Sequence, residues 1–150
     1  MRIQKIKFDS LKDFERLENL KLVWYKNAAG KTVDWTDEDA RNIELKNKND
    51  EEAYQPNDKD KITKCINAFK DEGLTKDIEI ISVTDSKLDE EIIVDGVHRA
   101  VAIYRLYQKE PKVIKKLLSS QLHGIYLINF QSMAASIFFP CDFLNFYSNR

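Results

Sequence analysis

The chain has 150 residues, 43% of them hydrophobic and 33% charged, a composition that suits one folded domain with a real core and excludes wholesale disorder. Its 24 basic and 25 acidic side chains nearly cancel, so the summed field gives no general attraction to nucleic acid, and DNA association is an expectation that the charge does not support. Two cysteines, Cys65 and Cys141, without a paired spacing exclude a disulfide framework and a cysteine zinc site and point to a reducing, cytoplasmic compartment.

In chain order, Met1-Arg2-Ile3-Gln4-Lys5-Ile6-Lys7 carries charges where a signal core would be apolar, so no secretion signal is read there. No run approaches the ~18–20 apolar residues that span a bilayer, and no membrane role is expected. Residues 2–8 suit a strand, and Ser10 followed by Asp13 reads as a helix start, with a short helix to about Asn19. Leu22-Val23-Trp24-Tyr25 and Thr32-Val33-Asp34-Trp35 flank a glycine-containing turn and suggest a hairpin. Residues 40–46 fit helix and strand equally. The polar run 47–60, with Pro56, reads as a loop.

Ile62, Cys65, Ile66 and Phe69 form one apolar helix stripe, with Asn57 or Asp58 as cap and Gly73 as terminator. Residues 78–83 and 92–94 are β-branched runs expected to pair antiparallel around a surface turn over 84–91. A second, heavily buried helix is expected over 97–109, stopped before Pro111. Residues 113–118 suit helix or strand, and 125–130 suit a strand.

The run that carries chemistry is Asp95-Gly96-Val97-His98-Arg99, where a buried-type strand turns at a glycine and enters a helix. Gly96 lets a ligand approach the backbone, and the first amides of the helix, at Val97 and His98, lack intrahelical acceptors and form an anion site with the helix dipole. His98 and Arg99 are locally unfavourable at a positive helix end unless an anion compensates them, and a phosphate would do so. Asp95 would sit beside that phosphate. The plainer alternative makes Asp95-Gly96 a simple turn with Asp95 as cap, His98 on the surface and Arg99 paired with Glu90 or Glu91.

Residues 58–106, about a third of the chain, resemble the ParB/sulfiredoxin superfamily, in which a helix ending in glycine, two strands and a Gly-x-His-Arg motif open a long helix. The resemblance implies an α+β fold: a single small mixed-sheet domain, helices packed on the sheet, with the core at 54–130, an N-terminal extension over 1–50 and an aromatic segment over 131–150. Sulfiredoxins carry Gly-Cys-His-Arg, whereas Val97 replaces the reactive cysteine here, which removes sulfinic acid reduction. Asp95-Gly96-Val97-His98-Arg99 is closer to the Asp-Gly-x-His-Arg form of ParB-like proteins, a branch of which are free-serine kinases.

That resemblance implies phosphate binding by Gly96, Val97, His98 and Arg99, with Lys61 from the preceding helix approaching a nucleotide such as ATP. It also implies catalytic roles for Asp95 and His98, with Asp95 holding Mg2+ or taking a proton from an unknown acceptor. The chain is then a nucleotide-dependent phosphotransferase or hydrolase, or a non-catalytic nucleotide-sensing or DNA-associated module built on the same turn. Asn57 replaces the arginine of the ParB Gln-Pro-Arg element, and Ala68 replaces a sulfiredoxin hydroxyl residue.

Other candidates carry less. His123 has no metal-ligand companion at a useful spacing. Asp37, Glu38 and Asp39 complement a helix dipole more naturally than they bind a cation. Cys65 and Cys141 read as inert small residues. Glu15 or Glu18 is a candidate for an acceptor pocket, and Phe138, Phe139, Phe143, Phe146 and Tyr147 suggest core packing or a homodimer contact.

Overall fold

The computed structural model describes residues 2–22, 43–45, 58–85 and 89–132. The expected hairpin beyond Leu22, the cluster Asp37 to Asp39, Cys141 and the aromatic segment over 131–150 beyond Ser132 lie outside the described residues.

Strand β1 spans Arg2–Lys7, followed by a 3-10 helix over Leu11–Leu17, short strands β2 (Lys21–Leu22) and β3 (Ile43–Glu44), and helix α1 (Asp58–Glu72). The second half runs β4 (Ile78–Asp85), β5 (Glu90–Asp95), α2 (Val97–Lys109), α3 (Pro111–Leu118) and β6 (Ile125–Ser132). Among the described residues the sheet has the order β1-β6-β4-β5-β2-β3. It is mixed: β4 is parallel to β6 and antiparallel to β5, β1 is antiparallel to β6, and β2 is parallel to β5. The fold is α+β, with helices packed on a mixed sheet, as the sequence suggests.

Both faces of the central strands are buried, which explains their nearly continuous β-branched runs. On one face Ile78, Ile80, Ile93, Ile125 and Leu127 join Phe14, Leu17, Ile62, Ile103 and Ile114 in the main core. On the other, Ile81, Val83, Ile92, Val94, Ile128 and Phe130 form a second cluster, flanked by Ile3. Helix α2 packs on α1, α3, the 3-10 helix and β4. Its residues Ala100 to Tyr104 are all buried, and the two alanines let neighbours approach closely. Phe8, Phe14, Leu17 and Leu20 belong to the same core, so the described part of the N-terminal extension is built into the domain. Among the described residues no helix is long and apolar enough to cross a membrane.

Several boundaries move. The polar stretch 84–91 reads as a turn, but pairing extends β4 to Asp85 and begins β5 at Glu90, because cross-strand partners override local composition. The ambiguous 40–46 contains β3, and 113–118 belongs to α3, with Pro111 at the first helical position where its missing N–H costs nothing. The expected N-terminal helix is a 3-10 helix ending at Leu17.

That helix begins in a capping box. The Asp13 carboxylate accepts the backbone N–H of Asp9 at 2.7 Å and of Ser10 at 2.9 Å. These two amides hold its pKa below the ordinary aspartate range. A depressed pKa contributes stability that is present above the unfolded value and lost as pH falls through the folded one. Asp13→Ala is expected to cost about 1 kcal/mol at neutral pH. In urea denaturation that difference from wild type should close as the pH drops below the carboxylate range; a gap that persists in acid would assign the effect to packing instead.

Candidate functional site at the strand-glycine-helix turn

Strand β5 ends at Asp95, Gly96 is the N-cap of α2, and the chain passes between them in the left-handed conformation, φ 79° and ψ 25°. A Cβ at Gly96 would lie 3.0 Å from the backbone oxygen of Glu79 and 3.5 Å from Cα of Ile80. The turn is therefore pressed against β4, and only glycine satisfies both the backbone angles and the space. Ala100 N–H donates to the Gly96 carbonyl at 2.8 Å, closing the first helical bond.

The N-cap makes no side-chain hydrogen bond, and the first turn of α2 contains no acidic residue. The basic pair His98 and Arg99 stands in that turn, half-buried, and Val97 packs partly into the core. Arg99 folds back over the glycine: Nη2 lies 3.4 Å from the Gly96 Cβ position and 3.9 Å from Oδ2 of Asp95. Its partner is Asp95, four residues away, and not Glu90 or Glu91. With side chains 31% and 40% exposed, the pair holds geometry more than it adds stability, about 0–1 kcal/mol for such contacts.

Helix α1 packs on α2 and brings Cys65 within electrostatic reach of Arg99. Burial raises the Cys65 thiol pKa, and the Arg99 charge opposes that rise. Lys61 lies one turn before Cys65 on the same side of α1, with its side chain exposed. Asp95, Gly96, Val97, His98 and Arg99 are thus one continuous turn, and Lys61 stands on the neighbouring helix. Among the described residues no group of three His, Cys, Asp or Glu side chains is placed to hold a metal ion. Mg2+ at Asp95 would rest on that carboxylate, phosphate oxygens and water, which is how this ion is commonly held.

Other sequence candidates go elsewhere. Glu18 accepts the Tyr104 hydroxyl, and burial first, then the Glu18 charge, raises that phenol's pKa. Glu15 lines a cleft of about 490 Å³ with Arg16, Lys21, Glu90 and Glu91. Glu90 opens β5 and Asp95 ends it, about 17 Å apart along an extended strand, so Glu15 is not brought to the turn. His123 Nδ1 lies 3.8 Å from Asp77 Oδ1, and the same carboxylate oxygen accepts the Gly124 N–H at 2.9 Å. That arrangement fixes the entry to β6.

Sequence reasoning misses a buried polar network at the far end of β5. Asn129, 1% exposed, donates from Nδ2 to Ser82 Oγ at 3.0 Å, Thr84 Oγ1 at 2.9 Å and Glu91 Oε1 at 3.1 Å. Ser82, fully buried, donates to the same Glu91 oxygen at 2.6 Å, and the other Glu91 oxygen is paired with Arg16. The available signal was a serine and an asparagine interrupting the apolar runs Ile80-Ile81-Ser82-Val83 and Leu127-Ile128-Asn129-Phe130.

Fold and site together define a small α+β domain in which a central strand enters a buried helix through a left-handed glycine and a basic first turn. Comparison with protein-family models, with curated proteins and with solved structures finds no match to this chain.

Proposed function

We propose that the chain is a nucleotide-binding protein whose turn at residues 95–99 grips phosphate, and that it acts as a nucleotide-dependent phosphotransferase or hydrolase of ParB-like type. One observation carries the reading: the first turn of α2 opens on a glycine and holds no acidic side chain, yet carries His98 and Arg99 against its own dipole. The amides of Val97 and His98 and the Arg99 fork supply donors for oxyanions. Lys61, on the helix packed beside α2, adds a cation toward the nucleotide. The resemblance of residues 58–106 to the ParB/sulfiredoxin superfamily supports the assignment.

Phosphoryl transfer needs positioning and charge stabilisation above all. His98 and Arg99 bind and orient the phosphate, and Asp95 holds Mg2+ or takes the proton of an acceptor hydroxyl. Mg2+ supplies neutralisation of the phosphate charge when bound. ATP, ADP, CTP or GTP with Mg2+ at about 100 times Kd should add about 2.7 kcal/mol of stability. At about 2–4 °C per kcal/mol for a chain of this size, that is a thermal shift of roughly 5–10 °C. Arg99→Ala and His98→Ala should lose the shift, and Asp95→Asn should keep it while abolishing nucleotide consumption. A flat response to every nucleotide would end the proposal.

The pairing of Asp95 with Arg99 favours a second reading, a non-catalytic nucleotide-sensing module, because that carboxylate is already engaged. Nucleotide binding that Arg99→Ala abolishes, without turnover against any hydroxyl acceptor, would select it.

A further inference from the structure

Away from that turn, the 3-10 helix and α3 flank a shallow, open groove of about 540 Å³. Leu11 and Leu118 give it an apolar lining, and Lys12 and Lys115 stand on its two sides, with Asp9, Ser10 and Ser119 completing it. Ile114 and Leu117 anchor α3 in the core, so its opposite face is committed to solvent. Lys112, Lys115 and Lys116 are exposed there at helical spacing. Neither they nor Lys12 form an ion pair with any described residue. Asp13, next to Lys12 in the chain, already has its carboxylate committed to the amides of Asp9 and Ser10. Lys12 and Lys115 line the groove and Lys112 and Lys116 lie on the same helix as Lys115, while Asp9 is the one carboxylate among the described lining residues. Leu122, three residues past Ser119, is 86% exposed, the largest apolar exposure among the described residues.

We propose that this groove docks a short acidic segment of a protein partner, with aliphatic or aromatic side chains seated on Leu11 and Leu118 and carboxylates flanking them toward Lys12, Lys112, Lys115 and Lys116. The volume falls in the range of about 300–1,000 Å³ that receives compact ligands, and so admits a few side chains and not a whole domain. Charge complementarity sets the sign of the partner, and the apolar lining sets its anchors. Leu11 and Leu118 are partly buried in the core and give a lipid surface little to take up, and a nucleic-acid backbone brings no apolar anchor to the lining. An interface this small belongs to the weak, transient class.

The test is selection of a random dodecapeptide display library on the full chain at low salt, followed by titration of the enriched peptides in solution by fluorescence anisotropy. The enriched sequences should combine Asp or Glu with Leu, Ile or Phe. Their affinity should fall at least tenfold for the doubly substituted Lys12→Glu, Lys115→Glu chain, and severalfold between 50 and 500 mM salt. Both lysines are exposed, so a circular dichroism melt should confirm that this chain folds. Lys112→Gln with Lys116→Gln, which leaves the groove lining intact, should weaken binding by a smaller factor. No acidic enrichment, affinity indifferent to Lys12 and Lys115, or charge-dependent binding to phosphatidylserine vesicles in place of peptide would overturn the proposal.

Discussion

Gly96→Ala is expected to lose about 3 kcal/mol of folding stability, because it combines left-handed strain with a collision. Gly73, which ends α1, also has a positive φ of 70°, but a Cβ there meets nothing within 4 Å. Gly73→Ala should therefore cost only about 1 kcal/mol, from conformation alone. The difference between the two isolates the contact with the Glu79 carbonyl, which belongs to the middle of the sheet and cannot turn aside as a side chain would. Urea denaturation of both variants measures it, and at about 2–4 °C per kcal/mol the melts should separate by several degrees. Equal losses would mean that β4 yields and that the close approach is not a constraint on the turn.

Glu91→Ala should cost about 3 kcal/mol, since it strips two buried donors, Asn129 Nδ2 and Ser82 Oγ, of a shared acceptor and leaves Arg16 unpaired. Arg16→Ala should cost only about 1 kcal/mol, because the Arg16 side chain is 43% exposed and Glu91 keeps its two neutral donors. A double-mutant cycle on the pair, read by chemical denaturation, separates the ion pair from the network. If Glu91→Ala lost no more than Arg16→Ala, the serine and asparagine would have found other acceptors. This network stands at the start of β5 and the glycine turn at its end.

The turn was legible because every signal in it is local. Gly96 after Ile92-Ile93-Val94, the stop at Pro111 and the stripe of α1 each reflect a backbone preference or a period that a short window contains. The same holds for Ser10 and Asp13, whose capping box forms as the spacing suggests, although a 3-10 helix and an α-helix share that start and tertiary packing of Phe14 and Leu17 decides between them. The network was not legible, because Ser82, Glu91 and Asn129 come from three strands whose adjacency is set by topology. A serine inside an apolar strand gives no hint of which strand lies beside it. The partner of Arg99 was missed for a related reason: Asp95 comes within reach only because the chain reverses through a left-handed glycine, whereas Glu90 and Glu91 lie at the other end of an extended strand.

The pairing of β1 with β6 sets the order in which the sheet can be completed. Arg2 lies opposite Gln131, at nearly the full length of the described chain, so β1 has to wait for β6. Local units such as the α2–α3 corner and the β4–β5 hairpin can form early, whereas joining β1 to β6 closes a very long loop. Because β6 also separates β1 from β4, a nascent chain short of residue 125 carries both of those strands without their shared neighbour. Completion of the sheet is thus a late, concerted event, and the interval before it is when the chain is most exposed to pairing with another copy of itself.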